Sequence, residues 1–83
     1  MARHERTLAA VFADPIRANI DWADIEALFV HLGATVEDGR GSRVRISLNG
    51  VNKVFHRPHP GSEDRKPHVR EVRAFLTNTG HEP

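Results

Sequence analysis

The sequence has no cysteine, which excludes a disulfide framework, a thiolate zinc site and a cysteine nucleophile. No segment approaches the ~18 consecutive apolar residues of a membrane span. There is no internal repeat and no low-complexity tract. The 83 residues suffice for one domain and not two, and are too few for Rossmann, TIM-barrel or hydrolase architectures. A chain of this length buries only about 60–65% of its unfolded surface, so its core contributes only about 3–5 kcal/mol net. Near the start, Thr7 to Ala13 forms an apolar run behind Arg3, His4 and Arg6. Glu5 precedes it and Asp14-Pro15 closes it, so it reads as a short amphipathic helix rather than a leader. A cytoplasmic protein is expected.

What is present is charge, unevenly placed. Residues 1–39 carry three arginines against seven carboxylates. Residues 40–73 carry nine Lys or Arg against three carboxylates. The basic part suits a polyanion such as nucleic acid, although a solvated sheet and helix surface has the same composition.

Hydrophobic spacing gives the elements. Leu8, Val11 and Phe12 share one face of a first helix over about Arg6–Ala13, which Asp14-Pro15 stops. Asp21 is the natural N-cap of a second helix, with Asp24 as a weak capping-box partner and Ile20 and Ile25 as a hydrophobic staple. Trp22, Ile25, Leu28, Phe29 and Leu32 form its apolar stripe, and Gly33 ends it. Strands are expected over Ala34–Glu37, Ser42–Leu48 and Val51–Arg57, closed by Pro58, Pro60 and Gly61. A last helix begins near Pro67, carries Val69, Val72, Phe75 and Leu76 on one face, and stops at Gly80. The expectation is an α+β fold of order α-α-β-β-β-α, with helices covering one face of a three-stranded antiparallel sheet.

Asn49-Gly50 is the strongest hairpin signal, and a two-residue loop fixes the register. Leu48 must face Val51, and counting outward Arg45 faces Val54 and Arg43 faces His56. One face then holds Val44, Ile46, Leu48, Val51 and Phe55, with Lys53 as the exception. The other holds Arg43, Arg45, Ser47, Asn52, Val54 and His56. An imidazole beside a guanidinium suits RNA cleavage, in which the substrate's own 2′-OH attacks the phosphate. That reaction needs a base, an acid and positive charge near the phosphorus. His titrates near neutral pH, and Arg matches phosphate oxygens in a fork. The same pair on a plain solvated surface is the alternative. His59 and His68 add imidazoles nearby, but a His56/His59/His68 zinc site has no supporting carboxylate or thiolate spacing.

Leu32-Gly33-Ala34 at a helix end, Gly41-Ser42 leading into a strand, a hairpin, His59-Pro60-Gly61 and a Lys66-Pro67 helix start together resemble the HicA family over roughly residues 20–80. Those are small toxins of bacterial toxin–antitoxin pairs. The resemblance implies a fold like a double-stranded-RNA-binding domain (dsRBD-like), ribosome-independent cleavage of mRNA, and neutralisation by a HicB antitoxin. Residues 1–19 are then an N-terminal helical extension and 20–83 the HicA-like domain. The family usually reads Gly-Ser-His or Gly-Gly-His at the second strand, and that His is catalytic. Here Arg43 follows Gly41-Ser42. His56 is expected to supply the acid–base group with Arg43 on the phosphate, and His59 is the second candidate. Arg45, Arg57, Lys66 and Arg70 are expected to hold the RNA backbone. The expected partners are a HicB-like antitoxin and single-stranded mRNA, with no membrane, metal or cofactor required. A non-catalytic RNA-binding module and a protein-interaction domain are the alternatives on the same fold.

Overall fold

The computed structural model describes residues 2–58 and 65–83. The order is α1 (Arg3–Val11), α2 (Trp22–His31), β1 (Thr35–Asp38), β2 (Arg43–Leu48), β3 (Val51–His56) and α3 (Lys66–Asn78). The strands form one antiparallel sheet in the order β1-β2-β3. This is the α+β arrangement expected from the sequence. Pro60 and Gly61, expected to close the sheet, lie outside the described residues.

The turn chemistry sets the sheet. Asn49 and Gly50 both have positive φ, 50° and 78°, as a type I′ hairpin requires. The six pairs from Leu48↔Val51 to Arg43↔His56 follow in the expected register. Val44, Ile46, Leu48 and Phe55 are buried on one side, whereas Arg43, Arg45, Asn52, Val54 and His56 are exposed on the other. Lys53, the polar exception on the covered side, lays its stem along the sheet. Its ammonium sits 5.6 Å from the Phe55 ring centre and 3.4 Å from Glu71 of α3.

α2 and α3 cover the apolar side. Phe29 of α2, Phe55 of β3 and Phe75 of α3 meet with ring centres 5.5–5.7 Å apart, in tilted and edge-to-face contacts. Asp21 caps α2 by accepting from the Ala23 N–H at 3.1 Å. Asp24 does not act as the capping-box partner, because its carboxylate takes Arg3 of α1 instead, at 2.8–2.9 Å. Beyond α2, the N–H of Gly33 reaches Val30 O and that of Ala34 reaches Phe29 O, a Schellman closure made possible by Gly33 at φ 98°.

α1 begins earlier than hydrophobic spacing suggests and packs on α2 and α3. Val11 is fully buried within the single core. Arg73 of α3 donates to Val11 O and Ala13 O at 3.0 and 2.8 Å, satisfying carbonyls at and beyond the end of α1. Its guanidinium also lies over the Phe12 ring. Phe55→Ala should cost about 3–5 kcal/mol, comparable with the whole net stability of a domain this small. Urea titration should show the variant largely unfolded without denaturant. A midpoint equal to that of the unmodified protein would contradict this packing account.

Candidate nucleic-acid interface

Strand alternation decides which basic side chains meet. The N–H of Arg57 donates to Ser42 O at 2.9 Å, which makes Ser42 and Arg57 a hydrogen-bonded pair. Arg43 and His56, the next pair inward, therefore occupy a non-hydrogen-bonded site. There the Cα atoms approach to about 4.5 Å and opposite side chains stand closest. Both side chains are exposed. Arg45 follows two residues along β2, flanked by Val54 on β3 and Glu37 on β1. The open face thus carries Arg43 and Arg45 on its central strand, His56 on one flank and Glu37 on the other.

A hollow of about 240 Å³ lies on this side, lined by Glu37, Asp38, Gly39, Arg40, Arg43, Arg45 and Val54. Gly39 lets the chain after β1 approach Arg43 closely, since a Cβ at that position would come to 3.1 Å of the Arg43 Cβ. A larger hollow of about 510 Å³ lies between α1 and the segment leading into α2. It contains no histidine, and one of its three arginines, Arg3, is neutralised by Asp24. Size alone does not mark the chemistry here. The smaller hollow adjoins the His/Arg pair.

The basic residues expected to act together do not form one cluster. The pleat that turns His56 outward turns Arg57 to the covered side. There its guanidinium donates to both Glu26 oxygens at 2.9 and 3.0 Å and lies 2.7 Å from Asp38 Oδ1. Hydrogen bonds to Glu26 and then Asp38 raise the guanidinium's pKa above its ordinary value. Arg57 thus ties α2 to the end of β1 and is not presented to a phosphate from the open face. Lys66 and Arg70 are exposed on α3, across the sheet from Arg43 and Arg45. His59 lies outside the described residues.

His68 is turned inward, with its ring centre 4.9 Å from that of Trp22 and 6.2 Å from that of Phe55. It hydrogen-bonds the His56 main chain, and the Nε2 of His68 and the Nε1 of Trp22 find no partner among the described residues. His56 and His68 therefore occupy opposite sides of the sheet, which separates two members of the sequence's zinc trio. Burial is the main reason that the His68 pKa falls below 6.5, with Glu71 acting in the opposite sense. His4 and His31, assigned no role from the sequence, stack on one another with ring centres 4.2 Å apart.

Over this fold, a family model described as "HicA toxin of bacterial toxin-antitoxin" matches residues 22–80. The chain belongs to the HicA toxin family. The match begins at the first residue of α2, so α1 lies outside the HicA-matched segment. Searches of curated proteins and of solved structures each found no match. As a member of the HicA family, the chain is a toxin of a toxin–antitoxin system, and such a system supplies an antitoxin partner. Among the described residues no helix is long and apolar enough to cross a membrane.

Two outcomes test the local geometry. Because the folded His68 pKa is depressed, the unfolded chain binds more protons at that site as pH falls. Its stability contribution is complete above the unfolded value near 6.5 and is lost as pH falls from there through the lower folded value. Urea midpoints measured between about pH 7 and pH 5 should fall less steeply for His68→Phe than for the parent; parallel curves would contradict the burial argument. Arg57→Ala should lower stability by about 1–3 kcal/mol, because it strands the partly buried Glu26 carboxylate. Its affinity for RNA should change less than that of Arg43→Ala. The reverse order of RNA effects would return Arg57 to the interface.

Proposed function

We propose that this HicA-family toxin is a metal-independent endoribonuclease that cleaves mRNA without the ribosome by acid–base catalysis on the RNA backbone. The observation that carries the reading is the Arg43/His56 pair, placed side by side on the exposed face of the sheet in a chain of this toxin family. Arg43, supported by Arg45, holds the scissile phosphate and stabilises charge on its non-bridging oxygens. His56 moves a proton to or from a bridging oxygen. Lys66 and Arg70 stand across the sheet from this pair and contact only phosphates of an RNA that continues past the sheet edge onto α3. His59 remains the alternative histidine for the acid–base role. The proposed setting is the cytoplasm, with single-stranded mRNA as substrate and a HicB-like antitoxin as the neutralising partner.

A second reading has one specific observation behind it. Arg43 stands where the family usually carries its catalytic His, which favours a toxin fold that binds RNA without cutting it. Cleavage of a labelled transcript separates the two. Under the first reading, His56→Ala should lose at least about 100-fold in cleavage rate and relieve growth arrest on induction. Arg43→Ala should lose both cleavage and affinity. Binding of a 2′-deoxy analogue should weaken steeply with salt for either reading. Salt-sensitive binding with no cleavage between pH 5 and pH 9 selects the second. Full toxicity of both His56→Ala and His59→Ala would reject the assignment of the site.

A further inference from the structure

We propose that Glu37 is the second acid–base group of this site, taking the 2′-OH proton while His56 protonates the leaving oxygen. The proposal rests on the ribonuclease reading above and deepens it. Self-cleavage of an RNA linkage needs a base at O2′ and an acid at O5′ in the same event, and the two oxygens lie on opposite sides of the phosphorus. One imidazole cannot serve both positions at once.

The sheet supplies the opposed arrangement. β2 runs through the middle with Arg43 and Arg45 upright on the open face. β1 places Glu37 directly across from Arg45, and β3 places His56 directly across from Arg43. The outer strands lie roughly 10 Å apart, two strand spacings of about 4.8 Å. A phosphate gripped by the two guanidiniums of the central strand is therefore flanked by a carboxylate on one side and an imidazole on the other. Glu37 stands one row further along the strand, about 7 Å. In the proposed complex the flexible glutamate side chain and the imidazole ring span that offset.

Partnering separates Glu37 from the other carboxylates nearby. Asp24 is paired with Arg3, Glu26 and Asp38 with Arg57, and Glu71 with Lys53. Glu37 is exposed, borders the 240 Å³ hollow and makes no ion pair with any other described residue. The charges around it are Arg45 across the strand, Arg40 and Arg43 along the hollow, and Asp38 on the reverse of its own strand. Gly39, two residues on, lets the turn after β1 pass close against Arg43, where a Cβ would come to 3.1 Å of the Arg43 Cβ.

The step balances without a further reactant. The Glu37 carboxylate accepts the 2′-OH proton, and O2′ forms its bond to phosphorus. The P–O5′ bond breaks, and the His56 imidazolium gives its proton to O5′. The products are a 2′,3′-cyclic phosphate and a 5′-hydroxyl end.

The test uses the full-length protein with two substrates. One is an RNA oligonucleotide. The other is a set of nucleoside 3′-(4-nitrophenyl phosphates), whose leaving group departs without being protonated. Glu37→Gln is expected to lose about 100-fold or more in kcat on both substrates and to shed the low-pH limb of the rate profile. Its affinity for a 2′-deoxy oligonucleotide should stay within about threefold, as expected for a group acting in the transition state. His56→Ala should lose the same factor on RNA alone. Glu37→Ala supplied with formate should recover rate on the nitrophenyl esters, which holds the question open to test even if the glutamine variant folds poorly. Glu37→Gln cleaving RNA at the parental rate and pH profile, a defect on RNA but not on the esters, or no rescue by formate would each overturn the assignment. A parent protein that cleaves neither substrate would instead overturn the ribonuclease reading on which the assignment rests.

Discussion

The type I′ turn at Asn49 and Gly50 determines which residues of β2 and β3 stand opposite one another, and nearly every other feature of the molecule is hung on that register. A slip of one residue would carry Val44, Ile46 and Leu48 to the solvent face and Arg43 and Arg45 into the phenylalanine core. The burial of Phe55 against Phe29 and Phe75 penalises that slip heavily. The covered face and the open face thus specify each other. Packing the aromatic core on one side obliges the guanidiniums and His56 to share the other.

Charge is allocated along the same division. On the covered side and at the helix ends, carboxylates and basic side chains neutralise one another: Arg3 with Asp24, Lys53 with Glu71, Arg57 with Glu26 and Asp38. Arg73 is taken by carbonyls at and beyond the end of α1. Three of the seven carboxylates of the acidic front half, Asp24, Glu26 and Asp38, thus tie α1, α2 and β1 to other elements. On the open face Arg43 and Arg45 remain available to an anion.

Much of this was legible in the sequence because two local rules carry long-range consequences. Alternation in Arg43–Leu48 and a two-residue Asn-Gly loop were enough to place six residue pairs and the Arg43/His56 neighbours. Helix stripes, the Asp21 cap and the Gly33 and Gly80 stops located α2 and α3. What escaped had identifiable causes. Arg57, expected to hold the RNA backbone, follows His56 directly, and strand alternation sends adjacent side chains to opposite faces. Asp24 was matched to the helix cap it follows, whereas its partner, Arg3, lies 21 residues away. Glu37 drew no notice because the turn between β1 and β2 spans several residues and leaves their register open. Only the folded pairing of Glu37 with Arg45 brings that carboxylate to the site. The burial of His68 against Trp22 and Phe55, which lowers its pKa, is likewise a product of the folded packing and not of the local sequence.

The central claim is that Arg43 and His56 grip one phosphodiester from the open face of the sheet. It is tested most directly by following the histidine ring resonances of the intact protein while an uncleavable 2′-deoxy oligonucleotide is added. The account expects the His56 ring signals to shift saturably and to return as salt is raised, with Arg43→Ala abolishing the response. A His56 ring that stays unmoved at saturating oligonucleotide would contradict it.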